Sequence, residues 1–116
     1  MVKILVIDDE IDICEVMQDF FSKRGYEVIY ALTGRGGIDA FTIEKPHIII
    51  LDICLKDISG LEVLKKIKGS KSSCIVIIIT GSALEEDRKE AMRLGADYYM
   101  AKPFSMIKLN ELILKL

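Results

Sequence analysis

The sequence predicts one α/β domain of the (βα)5 type, built on a parallel sheet. Three observations point there. Short apolar runs alternate with longer amphipathic segments along the whole chain. The runs are rich in β-branched residues and too short for helices, so they read as strands buried on both faces. All of these runs but the second lead into polar residues, as expected where the strands of an open parallel sheet reach the ligand-binding edge. At 116 residues, with 51% hydrophobic and 29% charged side chains, the chain has the size and composition of one domain with its own core. It is too short and too asymmetric for an eight-stranded barrel.

The elements follow in order. Ile4–Ile7 is the first strand and runs into Asp8-Asp9-Glu10. Ile11–Arg24 is a helix with Ile13, Val16, Met17, Phe20 and Phe21 on one face, stopped by Gly25. Tyr26–Ala31 alternates in polarity and is a strand nearer an edge. Gly34–Glu44 is the second helix, with a first turn that Gly36 and Gly37 weaken enough to fray. Ile48–Leu51 is the third strand. Leu61, Leu64 and Ile67 mark a helix after Gly60, and Ile75–Ile79 the fourth strand. Leu84–Leu94 is a charged helix with Ala91 and Leu94 inward and Gly95 as its stop. Ala96–Met100 is a weaker fifth strand. Met106–Leu116 carries Leu109, Leu112, Ile113 and Leu116 at helical spacing. Ile107 and Leu114 lie partly off that stripe and read either as an apolar docking patch or as one side of a wide buried face.

Composition excludes several classes. Sixteen Lys and Arg against eighteen Asp and Glu leave a net charge of −2, without the basic footprint of a nucleic-acid binder. Tryptophan is absent and only four Phe and four Tyr are present, which argues against a stacking platform. The three cysteines, Cys14, Cys54 and Cys74, form no CxxC pair and suit a reducing compartment better than a disulfide or zinc framework. Their apolar neighbours make all three read as small buried hydrophobes. No apolar run is long enough to cross a bilayer, and the acids at 8–10 end any signal-peptide reading. A cytoplasmic protein without a membrane or nucleic-acid partner is expected.

The strand ends carry the chemistry. Asp8 and Asp9 follow the first strand, Asp52 the third, Thr80 the fourth and Lys102 the fifth. Each has an ordinary reading: a helix cap for Asp8 or Asp9, a turn cap for Asp52, a β-branched strand end for Thr80, a solvated amine for Lys102. Together those readings fail, because four strand ends would carry compatible polar groups by accident. Three carboxylates in one cleft repel one another and call for a cation. An all-oxygen set without His or Cys suits a hard ion, Mg2+ before the transition metals. With Lys102 beside it, such a cluster has the make-up of a phosphoryl site around a carboxylate nucleophile.

At these positions the chain resembles the receiver domain of two-component response regulators, of the chemotaxis-receiver type. The matching stretches are KILVIDDE at 3–10, IIILDICLKDISGLEVL at 48–64, IIITGSA at 77–83 and GADYYMAKPF at 95–104. They appear in family order over essentially the whole chain, so residues 1–116 are expected to form one receiver domain. The resemblance implies a flavodoxin-like three-layer sandwich with strand order 2-1-3-4-5. It implies that Asp52 accepts a phosphoryl group from a histidine kinase, a phosphotransfer protein or a small phosphodonor. Asp8 and Asp9, with Asp52 and the backbone carbonyl of Cys54, would hold Mg2+. Lys102 would pair with Asp52 and then with a phosphoryl oxygen. Thr80 would be the switch hydroxyl, and Tyr99 the aromatic that turns inward once Thr80 moves, with Tyr98 competing for that register. A cis Lys102–Pro103 bond is the family's habit. The switched surface would be that of helix four, strand five and helix five, acting on an output domain, a partner or a second copy. The domain would be a phosphoacceptor that assists its own phosphorylation and dephosphorylation, not an enzyme acting on other substrates.

Three departures qualify the match. Lys56 stands where the family usually has proline, which bears on the rigidity of the loop after Asp52. Cys54 and Ser82 occupy positions that in the family tune phosphoryl lifetime. His47 has no second His or Cys nearby and reads as structural. Other classes fit less well. A haloacid-type aspartyl phosphatase would want a second acid where Cys54 stands and room for a cap domain. A dinucleotide fold would want a Gly-rich turn where Asp8-Asp9-Glu10 stands. The runner-up is a receiver-like interaction module that works without phosphorylation, although the acids and the lysine that such modules tend to lose are all present. The chain stops where the fifth helix would, so it reads as a stand-alone receiver or as part of a longer regulator.

Overall fold

The apolar runs assemble into one sheet in the computed structural model, which describes residues 1–116. The strands are β1 (Lys3–Ile7), β2 (Glu27–Ala31), β3 (Ile48–Leu51), β4 (Ile75–Thr80) and β5 (Tyr98–Ala101). They alternate with α1 (Ile11–Ser22), α2 (Gly34–Glu44), α3 (Gly60–Gly69), α4 (Glu85–Arg93) and α5 (Met106–Leu114). All pairings are parallel and the order is β2-β1-β3-β4-β5. β2 lies at an edge, as its alternating pattern implies, and β5 at the other.

Strand alternation divides the core between two faces. Leu5, Ile7, Ile49, Leu51, Val76 and Ile78 pack with Val63, Leu64 and Ile67 of α3 and Ala91 of α4. Ile4, Val6, Ile48, Ile50, Ile77 and Ile79 pack with Cys14, Met17 and Phe21 of α1 and Leu109 and Ile113 of α5. Because β1, β3 and β4 are covered on both sides, they are hydrophobic from Ile4 to Ile7, Ile48 to Leu51 and Ile75 to Ile79, and each run meets a polar residue at or just beyond the carboxyl end of its strand.

Several boundaries differ from the periodicity by one or two residues. β5 starts at Tyr98 rather than Ala96, because Gly95 and Ala96 turn their N–H groups back onto Met92 and Ala91 of α4, at 3.1 and 3.0 Å. Strand pairing begins only where Asp97 N–H reaches Val76 O at 2.9 Å. α1 ends at Ser22 and α5 at Leu114, where the following amides tighten into three-residue bonds. Leu84 is the extended residue before α4 and not its first turn.

α2 does not fray at its glycines. A Cβ on Gly34 would lie 2.5 Å from Ile58 Cγ1, and one on Gly37 would lie 2.6 Å from Ile7 Cδ1, so these glycines let the helix approach the sheet and the β3–α3 loop closely. Thr33 Oγ1 accepts from Gly36 N–H at 2.9 Å and Asp57 accepts from the two preceding amides, so the first turn is fully capped. The exposed apolar side chains of α5, Ile107 at 69% and Leu114 at 68%, remove the wide-buried-face reading. No helix is long and apolar enough to cross a membrane.

Candidate functional site

The carboxyl ends of β1, β3, β4 and β5 bring Asp8, Asp52, Thr80 and Lys102 into one cleft. Backbone bonds set the positions: Asp8 N–H reaches Ala31 O, Asp52 N–H reaches Ile7 O and Lys102 N–H reaches Thr80 O, at 3.1, 3.0 and 2.8 Å. Lys102 is the hub. Its Nζ lies 2.8 Å from Asp52 Oδ2, 2.9 Å from Asp8 Oδ2 and 3.6 Å from Glu10 Oε1. The peptide bond that follows it, Lys102–Pro103, is cis.

Asp8, Asp52 and Thr80 are the buried polar residues of the chain, and each is engaged. Asp8 Oδ1 accepts from Glu10 N–H and Asp52 Oδ1 from Cys54 N–H, both at 2.9 Å. Thr80 Oγ1 accepts from Ser82 N–H at 3.3 Å and lies 3.5 Å from Cys54 Sγ. Burial pushes the Asp8 carboxyl above its ordinary pKa, although the Glu10 amide and Lys102 oppose the rise. Burial alone would lower the Lys102 ammonium, but hydrogen bonds to Asp52 and Asp8 outweigh it and hold it above the ordinary lysine value. Burial and the charge of Asp8 push the Cys14 thiol up to about 12, so that group is an inert core residue.

The cluster fits a hard divalent cation. Asp8, Asp9 and Glu10 place one carboxylate oxygen each within 4.8 Å of one another. The donors are oxygens only, and Lys102 is the one cation bonded to them, which matches the preference of Mg2+ over softer metals. Asp52 is joined to that trio by Lys102, whose Nζ bonds both Asp8 and Asp52. Glu10 was visible in the sequence only as the third acid of a run; its approach to Lys102 comes from the turn into α1. Gly60 closes the floor of the site. A Cβ there would lie 2.1 Å from Asp52 O, so only glycine lets α3 begin this close to Asp52.

One residue sits differently from expectation, and the register of another follows it. Cys54 is exposed, unlike Cys14 and Cys74. It lies past the end of β3, and its apolar neighbours Ile53 and Leu55 anchor the loop to the α3 side of the core while its own side chain faces the cleft. Tyr99 rather than Tyr98 is the inward aromatic. It pairs with Ile78 across β4 and packs on the α3–α4 side of the core. Its hydroxyl is buried without a hydrogen-bond partner, and burial, then the charge of Asp87, raises its pKa. Tyr99 is inward while Thr80 keeps its contacts to Cys54 and Ser82. Ser82 Oγ in turn bonds Asp87 Oδ2 at 2.6 Å, tying the β4–α4 loop to the first turn of α4.

Comparison with known proteins places these features in a family. The response regulator receiver domain matches residues 4–114. The alkaline phosphatase synthesis transcriptional regulatory protein PhoP of Bacillus subtilis is 38% identical over 108 residues, covering 93% of this chain and 45% of PhoP. The transcriptional regulatory protein KdpE of Mycobacterium tuberculosis is 39% identical over 106 residues, covering 91% of this chain and 46% of KdpE. The chain thus spans about half the length of these relatives. A CheY-like response regulator receiver domain protein from Methanospirillum hungatei superposes with a TM-score of 0.96 at 30% identity, covering 99% of this chain and 92% of the other. A two-component response regulator from Clostridium difficile gives 0.94 at 26% identity, covering 99% and 94%.

Proposed function

The chain belongs to the response regulator receiver domain family of two-component signalling, and from that membership we propose that Asp52 is its phosphoacceptor. The observation that carries this is the Asp52–Lys102 pair. A nearly buried carboxylate at the end of the central strand lies 2.8 Å from the Lys102 ammonium, beside an acidic trio suited to Mg2+.

In the proposed reaction an Asp52 carboxylate oxygen attacks the phosphorus of a phosphohistidine or a small phosphodonor such as acetyl phosphate. The P–N or P–O bond to the leaving group breaks, an acyl phosphate forms on Asp52, and a leaving imidazole takes up a proton from solvent. Asp8 and Asp9, with Asp52 and the carbonyl of Cys54, would hold Mg2+, with the Glu10 carboxylate in the same acidic cluster. When bound, the ion supplies charge neutralisation for the phosphoryl oxygens. Lys102 moves from Asp52 Oδ2 to a phosphoryl oxygen, keeping one positive charge on the developing negative charge. Thr80 leaves Cys54 and Ser82 to donate its hydroxyl to the phosphoryl group.

That movement releases the Ser82 amide and with it the loop leading to Asp87 and α4. Tyr99 already lies on the same face of the sheet. The surface of α4, β5 and α5 changes as a two-state packing element biased by added charge. Residues 1–116 are read as one phosphoacceptor domain located in the cytoplasm. A histidine kinase or phosphotransfer protein is the expected donor. An output domain or a second copy, docking on α4, β5 and α5, is the expected receiver of the signal.

Intact mass after incubation with acetyl phosphate tests this. One added phosphoryl group is expected with Mg2+, and none with chelator or with Asp52→Asn. A folded protein that takes no phosphoryl group from several donors would refute the reading and leave a phosphorylation-independent interaction module. Addition that persists in Asp52→Asn would refute the assignment of the acceptor.

A further inference from the structure

Asp57 lies in the loop between β3 and α3, three residues after Cys54, and its carboxylate reaches another element. Oδ1 accepts from Gly34 N–H at 2.8 Å and Oδ2 from Arg35 N–H at 3.0 Å. Both are first-turn amides of α2, which have no acceptor within their own helix. The amides, Arg35 first, favour the charged form and lower the Asp57 carboxyl to about 2, so this anchor is ionised throughout the neutral range. Next along the loop, Ile58 fills the space that a Cβ on Gly34 would occupy.

The far end of the loop is equally constrained. Gly60 N–H reaches Ile53 O at 2.9 Å and the α-carbon of Gly60 abuts the backbone of Asp52. Between these ties the chain passes through Cys54, Leu55 and Lys56. Lys56 is exposed and, unlike proline, leaves its φ free. The Asp57 carboxylate is the charged contact that fixes the outer part of the loop to the rest of the fold.

We propose that Asp57 is a positioning residue for the phosphoryl site, clamping the β3–α3 loop to the N-terminus of α2 so that the Cys54 carbonyl is held where the cation needs it. The inference rests on the function proposed above. Asp57 touches neither the cation nor the phosphoryl group and acts through the backbone of residues 54–57. Groups one step removed from a metal commonly change its affinity by about 10- to 100-fold. An anchor acting through three residues of backbone is expected at or below the bottom of that range.

Mg2+ titration of the phosphate-free protein, followed by tyrosine fluorescence or amide NMR shifts, is the test. Asp57→Ala is expected to raise the Mg2+ dissociation constant by about 3- to 10-fold. The Mg2+ concentration that half-saturates labelling by acetyl phosphate should rise by the same factor, while the rate at saturating Mg2+ stays within about two-fold of wild type. Asp57→Asn keeps one acceptor oxygen and should fall between; it carries the test if the alanine variant does not fold. Asp97→Asn is the control. Asp97 also accepts two bonds, from Val76 N–H at 2.8 Å and Lys68 Nζ at 2.9 Å, but at the opposite end of the sheet. It should lower Tm without moving Mg2+ affinity. Wild-type affinity in both Asp57 variants would overturn the inference, as would shifts that track Tm equally in the Asp57 and Asp97 variants. A wild-type protein that neither binds Mg2+ nor takes a phosphoryl group would overturn the underlying function as well.

Discussion

Replacing Lys102 with alanine leaves Asp8 and Asp52 side by side, with side chains 6% and 4% exposed and no bonded cation between them. Removing one partner of a buried ion pair costs about 3–5 kcal/mol, because the abandoned charge stays desolvated. The cleft opens to solvent at Asp9 and Glu10, so the lower end, about 3 kcal/mol, applies here. At about 2.1 cal/mol/K per residue, unfolding this chain carries an entropy of about 0.24 kcal/mol/K, so Tm should fall by about 12 °C. The pH dependence has a definite sign. The Asp8 carboxyl is already above its ordinary value through burial, and loss of Lys102 raises it further. A carboxyl raised on folding costs stability once it ionises; the cost is absent below its unfolded pKa and complete above its folded one. The deficit of Lys102→Ala should therefore shrink as pH falls from about 7 toward about 5. Millimolar Mg2+ should recover part of it by binding the folded state alone. Thermal unfolding followed by circular dichroism, in chelator and in Mg2+ at both pH values, measures all three effects. A Tm equal to wild type in chelator at neutral pH, or a deficit that grows on acidification, would refute the reasoning.

Other expectations follow from the same geometry. Brief treatment of the native protein with iodoacetamide should label Cys54 and spare Cys14 and Cys74, which are buried; peptide mass mapping reads the result, and equal labelling of the three would contradict the placement of that loop. Gly60→Ala forces a Cβ to within 2.1 Å of Asp52 O, so backbone must move; a loss of about 1–3 kcal/mol in denaturant unfolding is expected, with slower phosphorylation by acetyl phosphate. Ile107→Ser and Leu114→Ser alter side chains that are 69% and 68% exposed, so stability should stay within about 0.5 kcal/mol of wild type. If α5 forms part of the switched surface, the pair should abolish any phosphorylation-dependent dimer seen by sedimentation, and a dimer that survives would move the interface elsewhere.

The strands and the residues at their ends were legible in the sequence. A strand buried on both faces must be hydrophobic throughout, and a binding edge must be polar, so Asp8, Asp52, Thr80 and Lys102 stand out at the ends of their runs. Those constraints act over a few neighbouring residues and leave a direct trace in the order of the chain. Element boundaries were read less well, because Ala96 before β5 and Leu84 before α4 are apolar residues whose backbone conformation is chosen by the adjoining turn.

Contacts between loops left no such trace. Gly36 and Gly37 read as a weak start to α2, yet the turn is held by Asp57 from 23 residues further on, and its glycines admit Ile58 and Ile7. Cys54 reads as a core thiol by its neighbours and lies beside Thr80 in the open cleft. The choice between Tyr98 and Tyr99 depended on where β5 begins, which the closing turn of α4 decides. In each case the sequence by itself determined the element and its chemistry, while the tertiary structure decided which distant group completes it. The physical reason is that burial writes a periodic pattern into neighbouring residues, whereas a capping carboxylate or a close backbone contact needs only one suitable residue anywhere the fold brings it.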